Sequence, residues 1–258
     1  DGATSDRFGF SVAISGGRVV VGAIYGDDKV SGSGSAYVYE RQANGTWTQA
    51  AKLVAKDGAA LDSFGLSVAI SGDRMVVGSP FDDDKGTNSG SAYVYELQAK
   101  GTWTQTAKLL AKDGYNEDRF GYSVAISGER VVVGAYGDDD KGSSSGSVYV
   151  YERQANGTWI ETAKLVAKDG AASDYFGNSV AISGDRIVLS TDRYGLMEPV
   201  KNSIYVYERD GAGAWNQAAM LSAKGGGSDD YFAMTVAVSG SHIIAGAGAM
   251  KGCPAPPR

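Results

Sequence analysis

The sequence predicts an all-β chain built from repeated four-stranded antiparallel sheets, and three observations carry that prediction. Gly accounts for 37 of 258 residues, with only 5 Pro; this interrupts long helices and lacks the every-third-residue spacing of collagen. Hydrophobic residues reach 43%, with 15 Tyr and 4 Trp, so a core can form and the glycines do not signal disorder. Finally, Phe-Gly recurs at Phe8, Phe64, Phe120 and Phe176, with Phe232-Ala233 in register behind them, always 56 residues apart. Trp47, Trp103, Trp159 and Trp215 keep the same interval, and residues 8–63 match 120–175 at 43 of 56 positions without a gap. Such a register marks a tandem-repeat architecture.

Each unit reads as four strands in a fixed order. The first, Ser11-Val12-Ala13-Ile14-Ser15, puts Val12 and Ile14 on one face and small residues on the other, which fits a crowded place with backbone close by. A tight turn at Gly16-Gly17 leads into Arg18-Val19-Val20-Val21-Gly22, apolar on both faces and therefore sandwiched between neighbouring sheets. A polar loop precedes the third strand, Ala36-Tyr37-Val38-Tyr39-Glu40, where Tyr alternates with small apolar residues. Asn44-Gly45-Thr46 signals a hairpin, and the fourth strand from Trp47 to Val54 is more polar and outermost. Four strands joined by short turns form a blade, and repeated blades close radially into a β-propeller.

The complete units are 8–63, 64–119, 120–175 and 176–231, followed by a partial unit over 232–249, so the propeller occupies 1–249 and a Pro-rich tail 250–258. Two arrangements fit: about five blades with the last abbreviated, or a fragment of a seven-bladed ring, which would need about 392 residues at this repeat length. Phe8, Phe64, Phe120, Phe176 and Phe232 are expected to anchor the core between blades. Trp47, Trp103, Trp159, Trp215 and the strand tyrosines are expected to be structural beside them. Arg18, Arg74, Arg130 and Arg186 recur at a strand start, where each can pair with Asp or Glu of its own or the next blade.

Phe64-Gly65-Leu66-Ser67-Val68-Ala69, Gly78-Ser79-Pro80 and Gly90-Ser91-Ala92-Tyr93-Val94-Tyr95 resemble FG-GAP repeats, the blades of integrin alpha-subunit propellers and related proteins. The resemblance covers nearly the whole chain. It implies a propeller that serves adhesion, lectin or assembly roles or decorates an enzyme. Calcium in that family usually sits between the first and second strands, and here that connection, Ser71-Gly72-Asp73-Arg74 and its equivalents, is too short for such a cage.

Composition excludes several functions. A net charge of -6 without a basic stretch argues against nucleic acid. His242 is the single His and Cys253 the single Cys, which leaves no His-rich or multi-Cys metal site and no disulfide within this chain. Cys253 in the tail leaves a bond to another chain open. No apolar run is long enough to cross a bilayer, so direct membrane insertion is not expected. The opening Asp1-Gly2-Ala3-Thr4 is neither a signal peptide nor an initiator Met, which suggests a mature, processed or partial product. No nucleophilic triad, Walker motif or dinucleotide glycine motif occurs, so the chain is not expected to be an enzyme.

Two features remain as site candidates. The loop between the second and third strands carries Asp27 and Asp28, then Asp82, Asp83 and Asp84, then Asp138, Asp139 and Asp140; the fourth unit has Tyr194-Gly195-Leu196-Met197-Glu198 instead. With the acidic connection after the fourth strand, these residues crowd one rim and offer hard oxygen ligands to Ca2+. The same residues also suit a solvated turn. Tyr25, Phe81, Tyr136 and Tyr115 lie in loops beside them and, with Asp83 and Asp139, form a candidate ligand rim, because sugar rings stack on aromatic faces. Asn44-Gly45-Thr46 and Asn156-Gly157-Thr158 match the N-glycosylation pattern.

The expected function is a non-catalytic extracellular or cell-surface module that binds a glycan or a protein of the cell surface or matrix through several near-equivalent sites. The alternatives are a structural repeat module of a self-associating surface assembly or filament, and a propeller appended to a hydrolase.

Overall fold

The computed structural model describes residues 5–192, 202–223 and 232–247. The segment Tyr194–Glu198 and Cys253 lie outside these residues. The described chain is all-β, without a helix, and forms four four-stranded antiparallel sheets and one two-stranded sheet. The first blade contains β1 (Phe8–Ser15), β2 (Arg18–Ala23), β3 (Ser35–Arg41) and β4 (Trp47–Leu53). The second contains β5 (Val68–Ser71), β6 (Arg74–Ser79), β7 (Ser91–Leu97) and β8 (Trp103–Leu109). The third contains β9 (Ser123–Ser127), β10 (Arg130–Ala135), β11 (Ser147–Arg153) and β12 (Trp159–Leu165). The fourth contains β13 (Val180–Ser183), β14 (Arg186–Ser190), β15 (Ile204–Arg209) and β16 (Trp215–Leu221), and the last hairpin pairs β17 (Phe232–Ser239) with β18 (His242–Ala247). Strands pair in chain order within every blade.

Inner strands stack in sequence, β1 against β5, β5 against β9, β9 against β13 and β13 against β17. The small face of the first strand has a direct use here. Ser15, Ser71, Ser127 and Ser183 each accept the N–H of the next blade's turn glycine at 3.1 to 3.2 Å, and Ser11 Oγ donates to the Gly65 carbonyl at 2.8 Å. These bonds supply polar contact where neighbouring inner strands do not share a ladder.

At each core seam a Phe of the Phe-Gly pair is wedged beneath two tyrosines of its own blade. Phe120 has no exposed surface and meets Tyr149 edge-on at 5.4 Å and Tyr151 at 6.0 Å. Phe64 and Phe176 repeat this geometry. Their clusters join residues of adjacent blades; for example, Val76, Val94 and Leu109 of the second pack with Val124, Val131 and Tyr149 of the third. Two core expectations need correction. Phe8 touches Tyr37 and Tyr39 but is 55% exposed, and Trp47 is 43% exposed. Both lie on the first blade's outward face, against which no described blade packs, and Val12 and Ile14 are 66% and 68% exposed there. Phe232 is half-buried against the fourth blade. Trp103, Trp159 and Trp215 pack partly buried beside the seams, as expected of structural residues.

The recurring arginines pair along the opposite rim. Arg18 reaches Glu40 of its own blade at 2.9 Å and Asp73 of the next at 2.7 Å. Arg130 likewise reaches Glu152 at 3.1 Å and Asp185 at 2.9 Å. Each such pair contributes little alone, but the ladder fixes the register of neighbouring blades.

Candidate functional site

The loops from second to third strand and from fourth strand to the next blade emerge together, and the rim they form carries both site candidates. In the second blade, Lys108 Nζ lies 2.7 Å from Asp57, 3.0 Å from Asp82 and 2.6 Å from Asp84. The Tyr93 hydroxyl lies 3.0 Å from Asp57 Oδ1 and 2.8 Å from Asp82 Oδ2. The third blade repeats this with Lys164 at 2.8, 3.0 and 2.7 Å from Asp113, Asp138 and Asp140, beneath the Tyr149 hydroxyl. Burial draws the Lys108 and Lys164 ammonium groups toward neutrality, but their three aspartates outweigh it and hold both charged. Burial disfavours charge on Asp57 and Asp113 as well, yet the lysine and tyrosine bonds keep both below the usual carboxylate range.

The expected acidic clusters are therefore assembled, with carboxylate oxygens of each trio within 4.8 Å of one another. As calcium ligands they do not fit, because an ammonium group occupies the ground between the carboxylates. The remaining loop acids close their own turns. Asp27 accepts the N–H of Gly32, Asp83 that of Asn88 and Asp139 that of Ser144, at 2.6 to 2.7 Å. Asp28 pairs with Lys52 at 2.5 Å.

The aromatic candidates separate. Tyr25 lies under the Arg7 guanidinium at 4.7 Å, and Tyr115 projects alone at 68% exposure. Phe81 is half-buried with Arg119 over its ring at 5.6 Å. Tyr136 enters a cluster, 4.4 Å from the Tyr122 ring and 5.7 Å from the Tyr175 ring, and its hydroxyl accepts a bond from Arg119. Together with Asn178 and Asp192 these residues line a cavity of about 270 Å³ between the third and fourth blades. Arg119 and Tyr175 precede the Phe of their blades in a left-handed conformation, φ 55° and 50°. This conformation is uncommon for such side chains, and both residues line the cavity.

Arg119, Tyr122, Tyr175, Asn178 and Asp192 were not candidates from sequence reasoning, although a signal for them exists. Successive copies carry Phe10, Leu66, Tyr122, Asn178 and Met234 at one cavity position, and Ile24, Pro80, Tyr136 and Asp192 at another. No residue repeats at either position, whereas the surrounding frame is copied almost unchanged. The expected set of near-equivalent sites is not matched here, since Ser63, Leu66 and Pro80 stand at the corresponding places of the second blade. Asn44 and Asn156 lie on exposed hairpins, where each side chain accepts the N–H and hydroxyl of Thr46 or Thr158, a sufficient local reason for the motif.

Behind the rim, Asp118 is buried and accepts the Tyr115 N–H at 2.6 Å. Burial, with repulsion from Asp138 and Asp139, outweighs that bond and nearby Lys164 and pushes its carboxyl up to about 6. A raised carboxyl means the folded chain binds the proton more tightly than the unfolded one, so this residue's contribution to stability falls as pH rises from about 4 to 6. Asp118→Asn is expected to gain about 1–3 kcal/mol over the native chain at pH 7. Thermal melts at pH 4 and pH 7 check this, and a gain that does not grow with pH would remove burial of the charge as its cause.

Comparison with known proteins agrees with the blade geometry. The chain matches the FG-GAP repeat over residues 1–39, 47–95, 103–151, 159–207 and 215–252, five tandem copies. It is 32% identical to integrin alpha-E of Homo sapiens over 131 residues, 44% of this chain and 11% of that protein. It is also 32% identical to integrin alpha-6 of Gallus gallus over 161 residues, 57% of this chain and 14% of that one. The chain thus spans only a small part of these relatives. A crystal structure of a protein from Lactobacillus plantarum superposes with a TM-score of 0.53 at 17% identity, covering 82% of this chain and 55% of that one, a likeness of fold. Four copied blades with Phe-Gly wedges at their seams and the five matched repeats lead to one assignment: the chain belongs to the FG-GAP repeat family.

Proposed function

We propose that the chain is a non-catalytic binding module of the extracellular or cell-surface space that takes a neutral sugar residue in the cavity between its third and fourth blades. The observation that carries this reading is the grouping of Tyr122, Tyr136 and Tyr175 with Arg119, Asn178 and Asp192 around about 270 Å³. Aromatic faces suit the C–H face of a pyranose, while the guanidinium and amide donate and the carboxylate accepts from hydroxyls. The volume lies below the drug-sized range and suits one sugar ring rather than a long chain. Arg119 and Asp192 bring opposite charges, which favours a neutral over a strongly acidic sugar. The extracellular setting rests on the two Asn-Gly-Thr hairpins and on the family.

Calcium is not part of the reading. Sugar binding is expected to be the same with Ca2+ and with chelator, because the rim aspartates already hold lysines or backbone. A glycan array under both conditions tests this. Tyr122→Leu and Tyr136→Ala should each weaken binding at least about tenfold, as loss of a stacking face does. Leu already occupies the Tyr122 position in the second copy, and apolar Ile24 and Pro80 take the Tyr136 position elsewhere, so the blades tolerate both changes. An array without hits, or variants that bind undiminished, would remove the cavity as the site.

A second reading, a structural module of a surface assembly, is favoured by one observation. The first blade leaves Phe8, Val12 and Ile14 exposed on its outward face, and apolar surface of this kind favours contact with another protein element.

A further inference from the structure

We propose that Lys108 and Lys164 are the resident cations of the two aspartate clusters, tethered ammonium groups standing where a divalent ion would stand, so that these blade seams close without metal. Each cluster joins three elements: the connection leaving one blade (Asp57 or Asp113), the loop of the next blade (Asp82 and Asp84, or Asp138 and Asp140), and that blade's outer strand, which carries the lysine. Three carboxylates held within 4.8 Å repel one another unless a cation lies between them. The ammonium group has three N–H donors, and in each cluster it faces three carboxylates at 2.6 to 3.0 Å. The lysine side chains are only 15% and 19% exposed, so a dication could enter only by expelling a buried ammonium from beside its partners.

The chain's own copies supply a second, independent observation. Where the third copy has Asp138, Asp140 and Lys164, the fourth has Tyr194, Leu196 and Met220. The lysine and two of its acids are replaced together, and every replacement is uncharged. The first copy has Gly26 in place of the buried Asp and keeps Asp28, which pairs with Lys52 at 2.5 Å. In the fourth copy the lysine is thus lost together with two of its acids, which is expected if lysine is their counter-ion and unexpected if a free metal were. In the fourth copy the Asp113 equivalent, Asp169, remains beside the Tyr205 hydroxyl at 3.1 Å.

Lys164→Met tests the proposal by vacating the cation's place. The native chain should melt at the same temperature in millimolar Ca2+ and in chelator, and it should not sensitise terbium luminescence. The variant should bind terbium with emission excited through Tyr149, and Ca2+ should raise its melting temperature saturably. If the variant folds only when Ca2+ is added, the proposal is equally supported; if it folds in neither condition, or folds and binds no metal, the proposal is overturned. A Ca2+-dependent rise in the native melting temperature that Asp138→Asn abolishes would also overturn it. The triple variant Lys164→Met, Asp138→Tyr, Asp140→Leu reproduces the fourth copy and should fold without metal and bind none; terbium binding by this variant would place the metal elsewhere and overturn the proposal.

Discussion

Phe120→Ala should lower the stability of the chain by about 3–5 kcal/mol, the loss found when a large aromatic is removed from a closed core. Phe8→Ala, the same change at the same repeat position, should cost about 1 kcal/mol. The difference follows from what covers each ring. Phe120 has no exposed surface, lies under Tyr149 and Tyr151, and is backed by Val76, Val94 and Leu109 of the preceding blade. Deleting it leaves a void at a junction that two rigid sheets cannot both relax to fill. Phe8 makes the same edge contact with Tyr37 at 5.3 Å but is 55% exposed, so the area it withdraws from water is smaller and water fills the space it leaves. Urea unfolding of the two variants reads the comparison. Equal losses would mean that the outward face of the first blade is covered in solution, or that the wedge at the seam is not closed.

Repetition explains why the fold was legible in the sequence and the site was not. A wedge such as Phe64, a strand tyrosine such as Tyr93 and a seam serine such as Ser71 are each copied at 56-residue intervals, so each is stated several times over. Their packing then follows from strand periodicity. The sequence could not show which faces lack a neighbour, so Phe8 and Trp47 read like their buried counterparts. Lys108 and Lys164 were legible as residues but not as partners. Lys108 is 51 residues from Asp57 and 26 from Asp82, and only the hydrogen-bond register of the blade brings them together. The cavity is the converse case. Tyr122, Asn178 and Asp192 occupy positions that differ in every copy, so a search for recurrence passes over them, and Tyr136 stands out only as a loop aromatic. Their divergence against a copied frame is itself a signal, because a scaffold position has one structural solution and a ligand-facing position need not repeat it.

Gly78→Ala should cost about 3 kcal/mol, far beyond the usual penalty of adding one methyl group to a strand, because overpacking at this point has no rotamer through which to escape. Gly78 is the penultimate residue of β6, and the carbonyl of Gly121 from the next blade lies directly over it. A Cβ there would overlap the Gly121 oxygen and lie 2.9 Å from its carbonyl carbon. Gly121 cannot retreat easily, since it holds φ at +92° and donates its N–H to the Gly134 carbonyl at 3.1 Å. The same contact recurs at Gly22 with Gly65 and at Gly134 with Gly177, so backbone meets backbone directly at three seams. The fourth departs from it at both partners, with Ser190 in place of the strand glycine and Ala233, at φ +67°, in place of the Phe-Gly glycine. A bulkier seam exists in this chain, then, but only where both partners have changed. Gly72→Ala supplies the control: its φ of +58° is also left-handed, yet a Cβ would meet nothing within 4 Å, so it should cost about 1 kcal/mol from backbone strain alone. Urea midpoints measure the two losses, and hydrogen exchange in β5 and β9 should rise for Gly78→Ala and not for Gly72→Ala. If the two variants lose the same stability, the backbone contact between blades is not what sets their spacing.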